Sequence, residues 1–191
     1  MNALLIVDLQ NDFLPGGALP APEGNKIIPE INRIMDKFDL VVASKDWHPQ
    51  NSVHFDKWPP HCISHTDGAD FPHELVKEKI RMEFLKGTGD RDDGYSAFEA
   101  TNANLDQFLR RKNITNVFVC GLTTEYCVKS SALDAQSKGY QTYVIPEATA
   151  GVKAKPDDEE RAYNEMQNAG VKIISTGALD ELIQPGNSGT P

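Results

Sequence analysis

Residues 117–145 read VFVCGLTTEYCVKSSALDAQSKGYQTYVI, and this stretch holds the pattern that decides the fold. It contains an apolar run, a stretch with helical periodicity and a second apolar run, at 117–120, 125–138 and 142–145. Gly121 predicts the end of the first run, and Gly139 predicts the end of the helix. The segment therefore predicts a strand, a helix and a second strand.

The same alternation runs through the rest of the chain. Further apolar runs lie at 3–7, 40–43, 83–85 and 171–175. Helical periodicity recurs at 26–38, 104–112 and 157–168, with a closing helical turn at 178–183. Strands that alternate with helices form a parallel sheet with helices on both faces. We therefore predict one α/β domain over residues 1–184 and a flexible tail at 185–191.

Length, charge and cysteine content narrow the class of protein. The chain has 191 residues, which suits one domain, and its formal net charge of -9 disfavours nucleic acid and anionic membranes as partners. Its three cysteines cannot all pair, which indicates a reducing compartment. The first apolar run stops at Asp8, too soon for a signal peptide, and no run is long enough to span a membrane. We expect a cytoplasmic protein.

Four reactive side chains follow four different predicted strands. Asp8 and Lys86 directly follow the first and third strands, Asp46 follows the second by a few residues, and Cys127 lies just past the fourth. In open parallel sheets, ligands bind beyond the carboxyl ends of the strands. The four side chains are therefore expected to share one rim of the sheet, where a site would form.

Histidine and aspartate are concentrated between residues 46 and 61, where three of the five histidines of the chain occur. Asp46 and His48 are two residues apart and can reach one point, and His61 arrives from the next loop. Three protein ligands with open positions are typical of catalytic metal sites. A loop of this composition can also be merely solvated, but the spacing favours a metal site.

Cys127 lies in a strand-to-helix turn, which favours a nucleophile. The positive end of the helix dipole favours a thiolate there, and the backbone N–H groups of the turn can stabilise an oxyanion. Asp8 can carry the thiol proton, and Lys86 can hold Asp8 ionised and lower the proton affinity of the thiol. Each has a plainer alternative: a buried structural cysteine, as we expect for Cys120, a turn-capping aspartate and a surface lysine.

The sequence leaves open which chemical step belongs to the metal and which to the thiol. A catalytic zinc could activate water directly, which would make Cys127 incidental. Alternatively, the metal binds substrate and Cys127 forms the covalent bond, which fits better because the two groups come from different strands. Large aromatic residues in loops at the same end, Phe13, Trp58 and Tyr95, are candidate walls of a small flat pocket.

Together these residues resemble the nicotinamidase/pyrazinamidase branch of the isochorismatase-like cysteine hydrolase superfamily. The resemblance covers nearly the whole chain, through the segments 8–13, 15–19, 46–49, 58–62, 86–87, 95–98 and 121–128. Asp8, Lys86 and Cys127 match the superfamily. The segments Asp-Trp-His-Pro at 46–49 and Trp-Pro-Pro-His-Cys at 58–62 match its metal-dependent branch.

The resemblance implies a fold, a reaction and a cofactor. It implies a parallel six-stranded sheet and the hydrolysis of nicotinamide, an aromatic amide, to nicotinate and ammonia through a Cys127 thioester, with pyrazinamide as a further substrate. It implies one divalent transition metal, for which we expect zinc. Iron and manganese are also possible, because all three metals suit Asp and His ligands.

The resemblance also assigns roles to particular residues. Metal ligands are expected at Asp46, His48 and His61. The oxyanion hole is expected from the backbone N–H groups of Thr123 and Cys127, after a cis peptide bond before Thr123. The substrate pocket is expected from Phe13, Leu19, Trp58 and Tyr95.

Three positions depart from the pattern common in the family. Ser52 and His54 follow the branch in which the later histidine is the fourth ligand, so we predict that His54 also coordinates. His65 replaces a usual glycine, which can alter the loop after His61 or add a stray ligand. Thr123 replaces a common alanine, and its hydroxyl can crowd or extend the oxyanion site.

Other readings of the chain stay open. One is a metal-free relative in the same superfamily, such as an isochorismatase or a ureido-compound hydrolase. Another is a nucleotide-binding or metal-carrying module without chemistry, which the lack of a GxGxxG or GxxxxGK[ST] motif disfavours. A third is a structural zinc fold, which a chain of this size does not need. The loops around 88–94 are candidates for contact with a second copy in a homo-oligomer.

Overall fold

The computed structural model describes residues 1–89 and 93–183. Its strands are β1 Asn2–Val7, β2 Leu40–Asp46, β3 Glu83–Lys86, β4 Asn116–Leu122, β5 Gln141–Ala150 and β6 Lys172–Ile173. Its α-helices are α1 Ile28–Ile34, α2 Leu105–Arg111, α3 Lys129–Ser137, α4 Asp158–Asn168 and α5 Thr176–Leu182. The alternation of strands and helices matches the sequence prediction.

The described strands form one parallel sheet in the order β3-β2-β1-β4-β5-β6. The chain winds outward in one direction from β1 to β3 and in the other direction from β4 to β6. The order therefore reverses between β1 and β4, and a crevice opens beyond the carboxyl ends of strands at such a point. The predicted α/β class and parallel six-stranded sheet are confirmed.

The two faces of the sheet carry separate apolar cores, as β1 shows most simply. Leu4 and Ile6 pack into one core with α1 and α5, whereas Ala3, Leu5 and Val7 pack into the other with α2, α3 and α4. All five are fully buried. Burying a Leu, Ile or Val side chain stabilises the fold by about 1.5–3 kcal/mol. Because both faces of β1 are buried, the strand is an unbroken apolar run.

The strand ends differ from the predicted ones at functional positions. Asp46 and Lys86 are the last residues of β2 and β3, where the sequence placed them after the strands. Gly121 does not end β4, which runs on to Leu122. A Cβ at Gly121 would lie 2.1 Å from the Val7 carbonyl oxygen, and its φ is +107°. The glycine is needed because β1 passes too close for a side chain. The register between β4 and β5 also shifts here, between Val119 and Gly121.

Two predicted helices also differ in form. The helix predicted at 125–138 is a π-helical turn, Thr124–Val128, followed by α3. The helix predicted at 26–38 is α1 flanked by two 3-10 turns, Gly24–Ile27 and Met35–Lys37. The predicted tail at 185–191 and the centre of the 88–94 loops lie outside the described residues. Within those residues, no helix has the length and apolar character needed to cross a membrane.

Candidate active site

The four rim residues predicted from the sequence meet where the strand order reverses. Asp8 follows β1, Asp46 and Lys86 end β2 and β3, and Cys127 lies in the π-turn after β4. Carboxylate oxygens of Asp8 and Asp46 and the Cys127 sulfur all lie within 4.8 Å of one another. Parallel strands bring their carboxyl ends to one edge, which is why residues far apart in sequence converge there.

Lys86 lies at the centre of this group and is fully buried. Its Nζ is 2.7 Å from Asp8 Oδ2, 3.5 Å from Cys127 Sγ and in hydrogen-bond contact with Asp46 Oδ1. It also donates to the Gly94 carbonyl oxygen at 2.5 Å. Burial alone would lower the pKa of Lys86, but the Asp46 and Asp8 carboxylates outweigh it and hold the pKa well above its usual value. The ammonium is therefore a permanent buried cation.

Asp8 lies next to the thiol, where the sequence predicts a proton acceptor. Its backbone φ is +45°, and Ser44 Oγ donates to its Oδ1 at 2.7 Å. The other oxygen, Oδ2, lies 2.7 Å from the Lys86 ammonium. Burial raises the pKa of Asp8 to about 6, against the lowering effect of Lys86. The carboxyl group is therefore mostly ionised near neutral pH but takes a proton readily.

The thiol of Cys127 differs from the sequence expectation. We expected the helix end and Lys86 to lower its proton affinity, but its pKa is raised well above the usual value. Burial is the largest cause, and the nearby carboxylates of Asp8 and Asp46 add to it, while Lys86 lowers the pKa only in part. The resting group is thus a neutral thiol, which needs a base when it attacks. Cys120, as expected, is a fully buried thiol inside β4.

The predicted metal ligands converge on one point. A ring nitrogen from each of His48, His54 and His61 lies within 4.8 Å of the other two. Asp46 Oδ2 is 3.7 Å from His48 Nε2 and 3.8 Å from His61 Nε2. The four residues are all buried. Three imidazoles and one carboxylate are a donor set that suits zinc, iron or manganese.

The hydrogen bonds behind the imidazoles set their orientation. His48 Nδ1 lies 3.0 Å from the Gly87 carbonyl oxygen, and His61 Nδ1 lies 2.7 Å from the Pro59 carbonyl oxygen. A carbonyl oxygen only accepts, so each Nδ1 is the donor, and in the neutral imidazole this leaves the lone pair of Nε2 for a metal ion. His48 Nε2 is buried with no hydrogen-bond partner among the described residues. The residues present therefore fit a bound metal ion.

Gly87 lets this arrangement form. A Cβ at Gly87 would lie 2.5 Å from His48 Cε1, and the residue has φ +66°. A side chain at this position would both strain the backbone and displace the imidazole. The sequence motif Lys86-Gly87 thus joins the buried ammonium to the ligand cluster.

A cavity opens onto both groups. Its lining includes all four predicted wall residues, Phe13, Leu19, Trp58 and Tyr95, together with Asp46, His54, His61, Thr123 and Cys127. Trp58 Nε1 donates to the Tyr95 hydroxyl at 3.1 Å, which joins two of the walls. The aromatic lining suits a flat ring.

Sequence reasoning missed three further residues of the lining, Gly94, Tyr126 and Val152. Tyr126 packs its ring edge-on against Trp58, with centroids 5.2 Å apart. Its position next to Cys127 was a usable signal. Val152 comes just after β5, and only the fold brings it to the cavity.

The three departures from the family pattern have clear positions. Ser52 Oγ accepts from the His54 backbone N–H at 3.2 Å, which supports the turn that presents His54. His65 packs edge-on against Trp47 at 5.2 Å and is not one of the clustered ligands. Thr123 lines the cavity beside Cys127, and the peptide bond before it is cis.

Comparisons with known proteins agree with this geometry. The isochorismatase domain family matches residues 2–178. The nicotinamidase of Escherichia coli (strain K12) is 36% identical, over 94% of this chain and 97% of that protein. The structure of Pyrococcus horikoshii pyrazinamidase in complex with zinc is 43% identical with a TM-score of 0.82, over 91% of this chain and 98% of the other. PnC1 from L. infantum in complex with nicotinate is 32% identical with a TM-score of 0.87, over 93% and 94%.

Proposed function

The chain belongs to the isochorismatase domain family and is a hydrolase of amide C–N bonds, and from this premise we propose that it is a metal-dependent nicotinamidase that also accepts pyrazinamide. In this proposal nicotinamide is converted to nicotinate and ammonia through a thioester on Cys127. The location in the cytoplasm and the assembly into a homo-oligomer stay predictions.

One observation carries the proposal: the sulfur of Cys127 and the predicted metal ligands Asp46, His54 and His61 line the same cavity. Asp46 belongs to both groups, since one of its carboxylate oxygens contacts Lys86 and the other faces His48 and His61. A metal-free hydrolase would have no use for three buried imidazoles around a carboxylate. A binding module without chemistry would have no use for Asp8, Lys86 and Cys127 beside them.

Asp46, His48, His54 and His61 would hold one divalent transition metal, zinc by preference, with iron or manganese also compatible. When bound, the ion supplies a Lewis-acid position that can hold the pyridine nitrogen of the substrate. Phe13, Trp58 and Tyr95 would enclose the flat ring and exclude water from it.

The first half-reaction forms the thioester. Asp8 takes the proton from Cys127 as the sulfur attacks the carboxamide carbon, and the carbonyl electron pair moves onto oxygen. Backbone N–H groups of Thr123 and Cys127 would donate to this oxyanion. As the intermediate collapses, the C–N bond breaks, Asp8 returns the proton to nitrogen, and ammonia leaves.

The second half-reaction releases the acid. Asp8, again ionised, takes a proton from water as the water oxygen attacks the thioester carbon. The C–S bond breaks, the sulfur recovers the proton from Asp8, and the product leaves as the carboxylic acid, which gives up its remaining proton to solvent as nicotinate. Lys86 remains protonated throughout and balances the negative charge that passes between Asp8 and the sulfur. The raised pKa of the thiol makes the base necessary in the first step.

Ammonia release from nicotinamide and pyrazinamide, with metal analysis of the same sample, tests the proposal. The wild-type protein should release ammonia from both amides and carry about one metal ion per chain. Cys127→Ala should retain the metal and lose ammonia release. An active alanine variant would refute the covalent scheme. Activity that survives complete removal of the metal would refute the role of the four ligands.

A further inference from the structure

We propose that Gln10 is a positioning residue that fixes the main chain of Asp46, and thereby sets where the metal ligands stand relative to Cys127. The inference rests on the proposed function. It concerns a side chain that belongs neither to the cavity lining nor to the cluster of predicted metal ligands.

The amide of Gln10 holds Asp46 on both sides of its Cα. Its Oε1 accepts from the Asp46 backbone N–H at 2.8 Å, and its Nε2 donates to the Asp46 carbonyl oxygen at 2.7 Å. The second Nε2 hydrogen goes to the Ala69 carbonyl oxygen at 2.9 Å. Gln10 is fully buried, so both donor hydrogens and one acceptor site are used without water.

The end of β1 explains why a side chain must take this part. β1 pairs with β2 only as far as Ile6 and Ala43, and the Ser44 carbonyl oxygen still accepts from Asp8 N–H at 3.2 Å. Asp46 faces the same side two residues later, where β1 has already turned away. The Gln10 side chain therefore replaces the missing strand and satisfies both backbone groups of Asp46.

Gln10 also joins the two halves of the site. Its backbone N–H donates to the Asp8 carbonyl oxygen at 2.8 Å. The proposed proton carrier Asp8 and the residue that holds Asp46 therefore belong to one short segment. On the other side of β2, Trp47 N–H donates to the Lys86 carbonyl oxygen at 2.9 Å. Asp46 is thus held between β3 and the segment after β1, and its carboxylate has little freedom to move away from either Lys86 or the imidazoles.

A small shift of Asp46 would affect the ligand set more than the nucleophile. Groups that orient metal ligands typically change metal affinity by about 10- to 100-fold when removed. We therefore expect Gln10 to matter most for the metal and for substrates with a ring nitrogen. Benzamide has the same carboxamide but no ring nitrogen, so it reports on Cys127 without that contact.

The experiment compares Gln10→Met with Gln136→Met. Methionine keeps the length of the side chain and removes its hydrogen bonds, and Gln136 is a matched control on α3 whose Oε1 has no hydrogen-bond partner among the described residues. The dissociation constant of zinc is measured by competition with a chromogenic chelator, and thermal unfolding is followed in parallel. Steady-state kinetics with nicotinamide and benzamide complete the set.

Gln10→Met should raise the zinc dissociation constant by about 10- to 100-fold, and Gln136→Met should leave it within about twofold. At saturating zinc, Gln10→Met should raise the KM for nicotinamide more than the KM for benzamide. An unchanged zinc affinity in folded Gln10→Met overturns the inference, as does a loss of thermal stability without a change in zinc affinity.

Two provisions keep the result decisive. If Gln10→Met does not fold, Gln10→Asn replaces it with the same expected values, because its amide is one methylene too short to reach both backbone groups of Asp46. If wild-type protein turns out to hydrolyse neither amide, the proposed function fails, but the zinc measurement still decides the role of Gln10.

Discussion

The ammonium of Lys86 lies 2.7 Å from the carboxylate of Asp8, and both side chains are fully shielded from water. The same ammonium contacts Asp46, so one buried cation is paired with both the proposed proton carrier and a proposed metal ligand. Burying these charges costs free energy, and their mutual attraction offsets that cost only while all three are present. The active site is therefore a charge network whose parts can be tested one at a time.

Replacing Asp8 by Asn should remove the base while keeping the shape of the side chain. Because the thiol of Cys127 is neutral at rest, we expect kcat for ammonia release to fall by about 100- to 10,000-fold. Steady-state kinetics with nicotinamide measure the change. Asp36→Asn, at an exposed pair with Lys79, is the control and should keep wild-type rates. Comparable kcat values in the two variants would exclude Asp8 as the proton carrier.

The activity should depend on pH through Asp8. Its pKa is raised to about 6, so below that pH it holds a proton and cannot accept one from the thiol. We expect kcat/KM to fall about tenfold per pH unit on the acid side.

Ser44→Ala tests this assignment, because the Ser44 hydrogen bond lowers the pKa of Asp8. Without that bond the acid limb should move to higher pH. A limb at the same pH in both proteins would show that another group controls it.

Replacing Lys86 by Met should destabilise the metal-free protein. It leaves the carboxylates of Asp8 and Asp46 close together in a buried site without their cation, so we expect the free energy of unfolding to fall by about 3–5 kcal/mol. Urea unfolding of metal-free protein at neutral pH measures this loss. Lys79→Met breaks an exposed ion pair and should cost less than about 1 kcal/mol. Equal losses in the two variants would contradict the central role of Lys86.

Gly87→Ala should weaken metal binding, because its Cβ would meet His48 Cε1 at 2.5 Å. Titration with zinc against a competing chelator measures the effect, for which we expect about a tenfold loss or more. Gly89→Ala is a close control, since a Cβ there meets no atom of the described residues within 4 Å. Zinc affinities that agree between the two variants would mean that the His48 position tolerates the added methyl group.

The interior of each strand was predictable, but its end was not. The apolar runs that predicted β1 and β4 are buried on both faces, so hydrophobicity alone reports them. The ends of β2, β3 and β4 lie one to three residues later than the runs, because backbone pairing continues past the apolar residues: Asp46 pairs with Lys86, and Gly121 pairs with Val7. Gly121 misled the prediction, since a close approach to Val7 and a helix or strand stop leave the same signature in sequence.

The sequence by itself determined the strand-helix alternation and, through it, the convergence of Asp8, Asp46, Lys86 and Cys127 on one rim, because parallel strands place their carboxyl ends together. Only the tertiary structure decided the protonation of Cys127, the hydrogen bonds between the Gln10 side chain and the Asp46 backbone, and the position of Val152 in the cavity lining. These depend on burial and on contacts between residues distant along the chain. A local sequence pattern predicts neither the burial of a side chain in the site nor its long-range contacts.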